Sequence, residues 1–421
     1  MGYLDLSGGI LVEWEKLEIL RKETTLDLGH GSAGDVRVKE DRKTGVRVIE
    51  NGLLGMAAAR GNVDFDHLLN VAGDSLGLGM KAEFEFPCSG VHEYSDAFPR
   101  SDKPAQLYKI GMDLLGTLAR PDFQLSGKLK FFNLRTSVTN SRGTELTAEE
   151  SPWSLALVFK HRDSAGIMDG VISEEGLGMP DLRSVIENAA SYFDAFKNEV
   201  SLPEVGENII LVPDFMELFG DRFNREVTAR NYMAGGTLLS GRLGEHVGKS
   251  SLTVRDMPCG MGAGSLPFDH EGILRDPRGV EFISQGRFTR LACDLFDGQR
   301  YSLQATGNGY RDIVSNAAVG MKLTIDRGER SVAQICPDHE NVIMPVLCAG
   351  GGFVDSGAFS TPVQLAFLVK NGKPVGRLPQ LSFSTDFMSL LGEGIVEIAS
   401  HGHSRTSTCP FVFTKGSIDL L

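Results

Sequence analysis

No run of 18 consecutive apolar residues occurs in this 421-residue sequence. A helix needs about 20 apolar residues to cross a bilayer, so the sequence predicts no membrane-spanning segment. The N-terminal stretch also lacks basic residues ahead of an apolar run, which argues against a secretory signal. Leu6 stands where a myristoylation signal has Ser or Thr. We therefore expect no membrane partner.

An excess of positive charge is also missing. The formal net charge is −13, and no stripe of Lys and Arg offsets it. Duplex DNA and anionic membranes both attract proteins through a basic face. Direct binding to nucleic acid is therefore not expected.

Cysteine is scarce and scattered, and the sequence contains no Cys-x-x-Cys pair. In a chain of this length, that pattern is typical of reduced thiols and predicts a cytoplasmic protein. The six cysteines are Cys88, Cys259, Cys293, Cys336, Cys348 and Cys409.

Glycine, by contrast, is abundant, with 50 residues and no repeat, which indicates many turns between strands. The length favours two domains. Residues 1–202 mix helical and strand patterns, whereas residues 203–421 are dominated by short strands and Gly-rich turns. We predict an α+β protein, with an N-terminal α/β domain followed by a mostly antiparallel β domain resembling a barrel or a sandwich.

Local patterns predict several elements. Residues 10–60 are rich in strand patterns, with a hairpin turn at Asn51-Gly52, and Asn371-Gly372 marks another hairpin. An apolar face of Leu68, Leu69, Ala72 and Leu76 predicts a helix. The strongest helix pattern covers residues 179–200, with Pro180 in its first turn. Residues 208–223 predict a short strand that runs into a helix.

Three motif-like stretches fail on close reading. The His-Glu pairs at 92–93, 270–271 and 339–340 lack the second His of a helical zinc motif. Residues 241–251 resemble a phosphate-binding loop, but Leu243 stands at the required Gly. Ser32 resembles a nucleophile elbow, but His30 stands at its first Gly. Turns and solvated loops are the simpler interpretation of all three.

One cluster leaves a metal site open. On a strand, His401 and His403 would point to the same face, and Cys409 follows six residues later. Two imidazoles and a thiolate can ligate zinc. The alternative is an exposed Gly-rich turn beside a buried thiol.

Five segments in one order resemble the TldD/PmbA family, whose members are named modulators of DNA gyrase. They cover most of the chain, and the most recognisable is a Phe-Asp-x-Glu-Gly core. The five segments are residues 45–61, 138–146, 240–258 followed by 266–274, 305–312 and 352–375. The usual N-terminal helix of the family is shortened or absent in this reading.

The Phe-Asp-x-Glu-Gly core occurs in family members with and without zinc. The resemblance therefore implies that Asp269, Glu271 and Gly272 are family landmarks that organise a turn, with the carboxylates accepting backbone N–H groups. His270 occupies the variable position, and we expect it to be exposed.

The TldD branch carries a His-Glu-x-x-x-His helix that binds catalytic zinc, completed by a late Cys. Aligning residues 210–218 on that motif places Pro213 at the first His, Asp214 at the Glu and Leu218 at the second His. Neither proline nor leucine has a ligating side chain. The resemblance thus implies the PmbA/TldE-like branch, with no catalytic residues and no cofactor of its own, and zinc only in a partner subunit.

The implied function is a non-catalytic subunit in the processing of unstructured peptides, such as microcin precursors and an antitoxin. Its partner would be a zinc-bearing TldD-like homologue, or a second copy in a homodimer. Peptide-groove candidates are Gly307, Asn308 and Gly309, together with the Gly-rich loop at 349–353, because glycine allows close backbone approach. One alternative is a metal-dependent peptidase using His401, His403 and Cys409. A gyrase-associated or DNA-associated modulator is less favoured by the charge.

Overall fold

Two large, mostly antiparallel sheets dominate the computed structural model, and helices pack against them. The predicted α+β class is confirmed. The described residues are 12–29, 31–95, 104–203, 208–213, 215–257, 266–311, 313, 318–319, 321–402 and 409–421.

The first sheet has eight strands and is built around a long hairpin. Its strand order is β3-β2-β1-β5-β6-β4, while β7 pairs with β5 and β8 pairs with β7. The strands are β1 Glu13–Gly29, β2 Ser32–Glu50, β3 Leu53–Arg60, β4 Val91–Ser95, β5 Phe123–Asn140, β6 Glu145–Glu150, β7 Pro152–His161 and β8 Gly170–Leu177. The helices are α1 Phe65–Asp74, α2 Pro104–Leu118 and α3 Arg183–Phe196, with a 3-10 turn at Ser75–Leu78.

Residues 208–420 form the remaining strands and helices. The strands are β9 Asn208–Val212, β10 Val254–Asp256, β11 Val280–Ser284, β12 Arg287–Phe288, β13 Gly309–Tyr310, β14 Ala318–Val319, β15 Leu323–Ile325, β16 Asn341–Cys348, β17 Gly352–Phe353, β18 Ala358–Lys370, β19 Lys373–Arg377, β20 Leu381–Asp386, β21 Ile395–Ile398, β22 Val412–Lys415 and β23 Ser417–Leu420. The helices are α4 Phe215–Val227, α5 Ala229–Met233, α6 Leu295–Tyr301, α7 Val332–Ile335 and α8 Phe387–Leu391, with a 3-10 turn at Cys336–Asp338.

The largest sheet is open. Its order is β21-β22-β9-β16-β18-β20-β23, with β17 and β19 also pairing with β18. Within the described residues, β21 and β23 do not pair with each other, so the barrel-like option is wrong for this sheet. Two smaller sheets, β12-β11-β10-β15 and β13-β14, complete the strand pairings.

The predicted hairpin turns are confirmed. Asn51 and Gly52 have φ of 51° and 73°, and Asn371 and Gly372 have φ of 50° and 76°. Left-handed conformation at both central positions is the geometry that favours Asn-Gly. Each turn joins two paired strands, β2 to β3 and β18 to β19.

The helix predictions are confirmed in part. Leu68, Leu69 and Ala72 are buried on α1 as expected. α3 begins at Arg183, so Pro180 precedes the helix, and that predicted first turn is wrong. Helix α2 was not predicted from the sequence. Its Leu107 is buried in the core that this helix shares with the first sheet.

One hydrophobic core of the protein contains a cluster of aromatic side chains. Phe123 stacks on Phe193 with ring centroids 4.6 Å apart, and Phe159 and Phe196 meet them edge-on. The same core contains Phe367 from β18, so it draws on both sides of residue 203. The domain boundary between residues 202 and 203 stays a prediction.

Among the described residues, no helix combines the length and the apolar composition needed to cross a membrane.

Replacing Phe193 with Ala is expected to lower the free energy of unfolding by about 3–5 kcal/mol, because the side chain is 1% exposed and its loss leaves a cavity. Urea denaturation followed by far-UV circular dichroism measures the change. Glu187→Ala, at an exposed position of the same helix, is the matched control and should change stability by less than about 0.5 kcal/mol. Equal effects of the two variants would contradict the assigned core.

Candidate functional site

Asp269 organises the Phe-Asp-His-Glu-Gly loop. Its Oδ1 accepts N–H groups from Glu271 at 3.0 Å and Ile273 at 2.9 Å, and its Oδ2 accepts from Gly309 at 2.9 Å. Gly272 supplies the left-handed turn with φ of 80°. Burial and the Glu271 carboxylate raise the pKa of Asp269 to about 8, and the three N–H donors oppose that shift. The contacts with backbone N–H groups are those that the sequence predicts.

Glu271 joins this loop to the first sheet through a buried ionic cluster. Arg47 Nη1 donates to Glu271 Oε1 at 3.0 Å, and its Nε and Nη2 donate to Glu15 at 3.1 and 3.0 Å. Arg311 also donates to Glu15. None of the four residues is more than 1% exposed. Two cations thus face two anions, which is the condition for burying charge.

Glu15 and Arg311 both keep their charges at neutral pH, although burial opposes ionisation of each. Burial disfavours ionisation of Glu15, but Arg47 and Arg311 lower its pKa below the ordinary value. Burial, reinforced by Arg47, lowers the pKa of Arg311 to about 10, so it remains protonated at neutral pH. We call Glu15, Arg47, Glu271 and Arg311 the junction cluster. Three of its members were not among the sequence candidates.

His270 is buried, so the prediction of exposure is wrong. The residue is 7% exposed, its ring lies 4.7 Å from that of Tyr310, and its Nδ1 lies 3.2 Å from the backbone nitrogen of Arg311. Burial lowers the pKa of His270 to about 4. The loop folds back onto β13, which places the variable position inside the protein.

The three glycine-loop candidates are also buried. A Cβ at Gly309 would lie 2.5 Å from Glu271 Oε2, and one at Gly307 would lie 2.8 Å from Arg275 Cγ. Asn308 donates to Asp256 at 2.6 Å. The close approach at these positions is therefore to the chain's own side chains. None of the three lines the large cavity described next, and their role as groove residues stays a prediction.

A cavity of about 760 Å³ lies between the two halves of the chain. One wall comes from β8 and α3, where Val171, Ile172 and Tyr192 line it. The other comes from α4, β16 and the loop at 350–352. Burial raises the pKa of Tyr192 to about 12, so its phenol is neutral. The loop belongs to the second Gly-rich segment expected from the sequence.

Helix α4 faces the cavity with one side and the core with the other. Phe215, Phe219 and Phe223 recur every four residues and are fully buried. The opposite side begins with Leu218, which lines the cavity together with Pro213 just before the helix. Asp214 lies outside the described residues. The predicted strand-to-helix passage is confirmed, and it places two of the zinc-motif positions at this cavity.

Arg222 is the buried charge in the cavity wall. It lies 2.5 Å from Glu226, and its Nη1 donates to the Val354 carbonyl at 2.8 Å. Sequence reasoning missed this pair, although its i, i+4 spacing on a predicted helix is a recognisable signal. The pair ties α4 to the loop that follows β17.

The residues at the cavity do not fit a zinc ion of the family type. Pro213 and Leu218 carry no donor atom. Throughout the part of the chain that is described, no three His, Cys, Asp or Glu side chains are grouped so as to hold a metal.

The structure describes two of the three residues in the second hypothetical metal site. His401 is exposed, with its ring 5.7 Å from that of Phe411. Cys409 is 2% exposed, and its Sγ lies 3.8 Å from the Leu323 carbonyl oxygen. His403 falls outside the described residues. This ligand set therefore stays a prediction.

Known proteins share this architecture. Residues 207–416 match the model of the PmbA/TldA metallopeptidase C-terminal domain. A metalloprotease of Archaeoglobus fulgidus is 23% identical over 407 residues, covering 90% of each chain. A metalloprotease of Methanothermobacter thermautotrophicus is 24% identical over 312 residues, covering 70% of this chain and 66% of its own.

Two crystal structures share the fold at low identity. A candidate modulator of a DNA gyrase from Thermotoga maritima has a TM-score of 0.81 and 18% identity, covering 97% of this chain and 96% of its own. TldE from Thermococcus kodakarensis has a TM-score of 0.79 and 17% identity, covering 97% of each chain. The fold is thus that of the metallopeptidase-like proteins. The chain belongs to the TldD/PmbA family.

Because the pKa of His270 is lowered to about 4, folding keeps its imidazole neutral, whereas the unfolded chain binds a proton near pH 6.5. The residue's contribution to stability is therefore lost as pH falls from 6.5 toward 4, by about 2 kcal/mol at pH 5. We expect His270→Asn to remove that part of the pH dependence. Urea denaturation at pH 7, 6 and 5 measures it.

The raised pKa values of Asp269 and Asp294 make these groups stabilise the folded state more as pH falls over the same range. The effect of His270 is therefore read from the difference in stability between wild type and variant at each pH. His67→Asn, at an exposed position on α1, is the matched control and should leave the pH dependence unchanged. Parallel pH profiles for wild type and His270→Asn would contradict a buried neutral imidazole.

Proposed function

We propose that this chain is a non-catalytic, PmbA/TldE-like member of its family that binds unstructured peptides and works with a zinc-bearing TldD-like subunit. The observation that carries the proposal is the cavity of about 760 Å³ beside α4. Pro213 and Leu218 line it where the zinc-motif alignment requires imidazoles. The site offers volume and apolar surface for a ligand, but no donor atoms at those two positions.

The strands beside the cavity support an extended ligand. β8 pairs only with β7 among the described strands. One edge of β16 pairs with β9, but only through residues 341–343. Along residues 344–347, the same edge of β16 has no partner among the described strands. Available strand edges bind peptides through main-chain hydrogen bonds. A peptide in an extended conformation fits this arrangement better than a folded protein does.

Binding by strand addition makes a specific prediction. A fluorescein-labelled nine-residue peptide without stable structure should bind the purified chain, as measured by fluorescence anisotropy. N-methylation at alternate residues removes the N–H donors that face the protein, and we expect at least about tenfold weaker binding in one of the two alternating patterns. Methylation in the other pattern is the matched control. Equal loss in both patterns, or no binding of any peptide, would argue against the proposal.

The partner hypothesis is tested by co-expression with a zinc-bearing family member from the same source organism. We expect the two chains to co-purify and peptide cleavage to require both. Metal analysis of this chain purified alone should give far less than one zinc per chain, because Pro213 and Leu218 provide no ligand.

Two outcomes would contradict that picture. If no complex forms and cleavage by the zinc-bearing chain is the same with or without this one, the partner role is wrong. If this chain alone carries one zinc that is lost in Cys409→Ser, the rearranged site of His401, His403 and Cys409 is correct instead. Cys88→Ser, at an exposed thiol, is the matched control.

A further inference from the structure

One face of α4 forms a continuous part of the cavity wall. Leu218, Asp221, Arg222 and Arg225 follow one another at positions i, i+3, i+4 and i+7, and all four line the cavity. The helix therefore presents one apolar group and three charged groups to any ligand. Which of those charges is available depends on the partners that each already has.

Both arginines are already neutralised. Arg222 lies 2.5 Å from Glu226 and donates to two carbonyl groups of the loop that follows β17. Arg225 lies 2.8 Å from Asp355. Each arginine is thus paired with a carboxylate of the chain, so an anionic ligand would have to compete with these pairs.

Asp221 differs from both arginines. It is exposed, and its carboxylate forms no ion pair or hydrogen bond with any described residue. Its carboxylate is therefore the uncompensated charge of this helix face. A cationic side chain of a ligand would meet it without displacing an existing pair, and the chain's net charge of −13 acts in the same direction.

Much of the remaining wall is apolar and aromatic, although Ser173, Asn188 and Thr361 also line the cavity. Phe353 and Phe359 lie with ring centroids 4.8 Å apart, and Phe383 packs on Phe359 at 5.9 Å. All three line the cavity together with Val212 and Leu218. A surface of this kind stabilises a bulky apolar side chain by removing it from water.

We propose that the cavity selects extended peptide segments in which a bulky apolar side chain stands within two residues of Lys or Arg. The apolar side chain enters between Leu218 and the phenylalanines, and the cation pairs with Asp221. This inference rests on the proposed function, because it assumes that the cavity binds peptides, and it specifies which ones.

The test uses four labelled nine-residue peptides with one Ser/Ala-rich background. The central residue is Leu or Ala, and the residue two positions on is Lys or Glu. Anisotropy titrations should show that Leu→Ala weakens binding by roughly tenfold to a hundredfold. Lys→Glu should weaken binding severalfold at low salt, and less at high salt, because an exposed pair is screened.

Asp221→Asn should narrow the difference between the Lys and Glu peptides and leave the difference between the Leu and Ala peptides intact. Asp66→Asn, at an exposed aspartate on α1 away from the cavity, is the matched control and should change neither. Thermal melting of both variants confirms that they fold.

The outcomes separate the two proposals. Equal binding of all four peptides would overturn this selectivity and leave peptide binding standing. Preference for the Glu peptide, or an unchanged Lys preference in Asp221→Asn, would overturn the role of Asp221. No binding of any peptide would overturn both the selectivity and the proposed function.

Discussion

The junction cluster is the constraint on which the relation between the loop at 266–275 and the first sheet depends. Arg47 holds Glu15 through two hydrogen bonds and Glu271 through a third, all out of contact with water. Removing one member of such a set leaves an uncompensated buried charge, which costs about 3–5 kcal/mol. The cluster therefore fixes the position of Glu271 relative to Arg47, although the two residues are 224 positions apart in the chain.

A second constraint sets the position of helix α4 beside the cavity. Here Phe219 stacks on Phe387 of α8 at 5.0 Å, and Phe215 and Phe223 flank it in the core. The position of α4 is thus set by its apolar face. Leu218 lines the cavity and is only partly buried against the same core, whereas the three phenylalanines are fully buried.

Sequence reasoning reached the elements whose causes are local. Asn51-Gly52 and the apolar period of α1 depend on neighbouring residues, and both were predicted. The pairing of Glu15 with Arg47 across β1 and β2 could not be predicted from the sequence. Counting back from the turn, where Gly29 faces Ser32, places Glu15 opposite Val46, but a bulge between Leu26 and Leu28 shifts the register by one. Burial of His270 depends likewise on a distant strand, β13.

The two Gly-rich loops contain glycine for different structural reasons. Gly309 is required by the fold, because any side chain there would collide with Glu271. At Gly350 and Gly352, by contrast, an added Cβ would meet nothing within 4 Å, and Gly352 has no left-handed φ. Packing does not demand glycine at 352. Without a side chain at Gly352, the main chain is exposed where it lines the cavity. The backbone of a ligand would approach the protein at this surface.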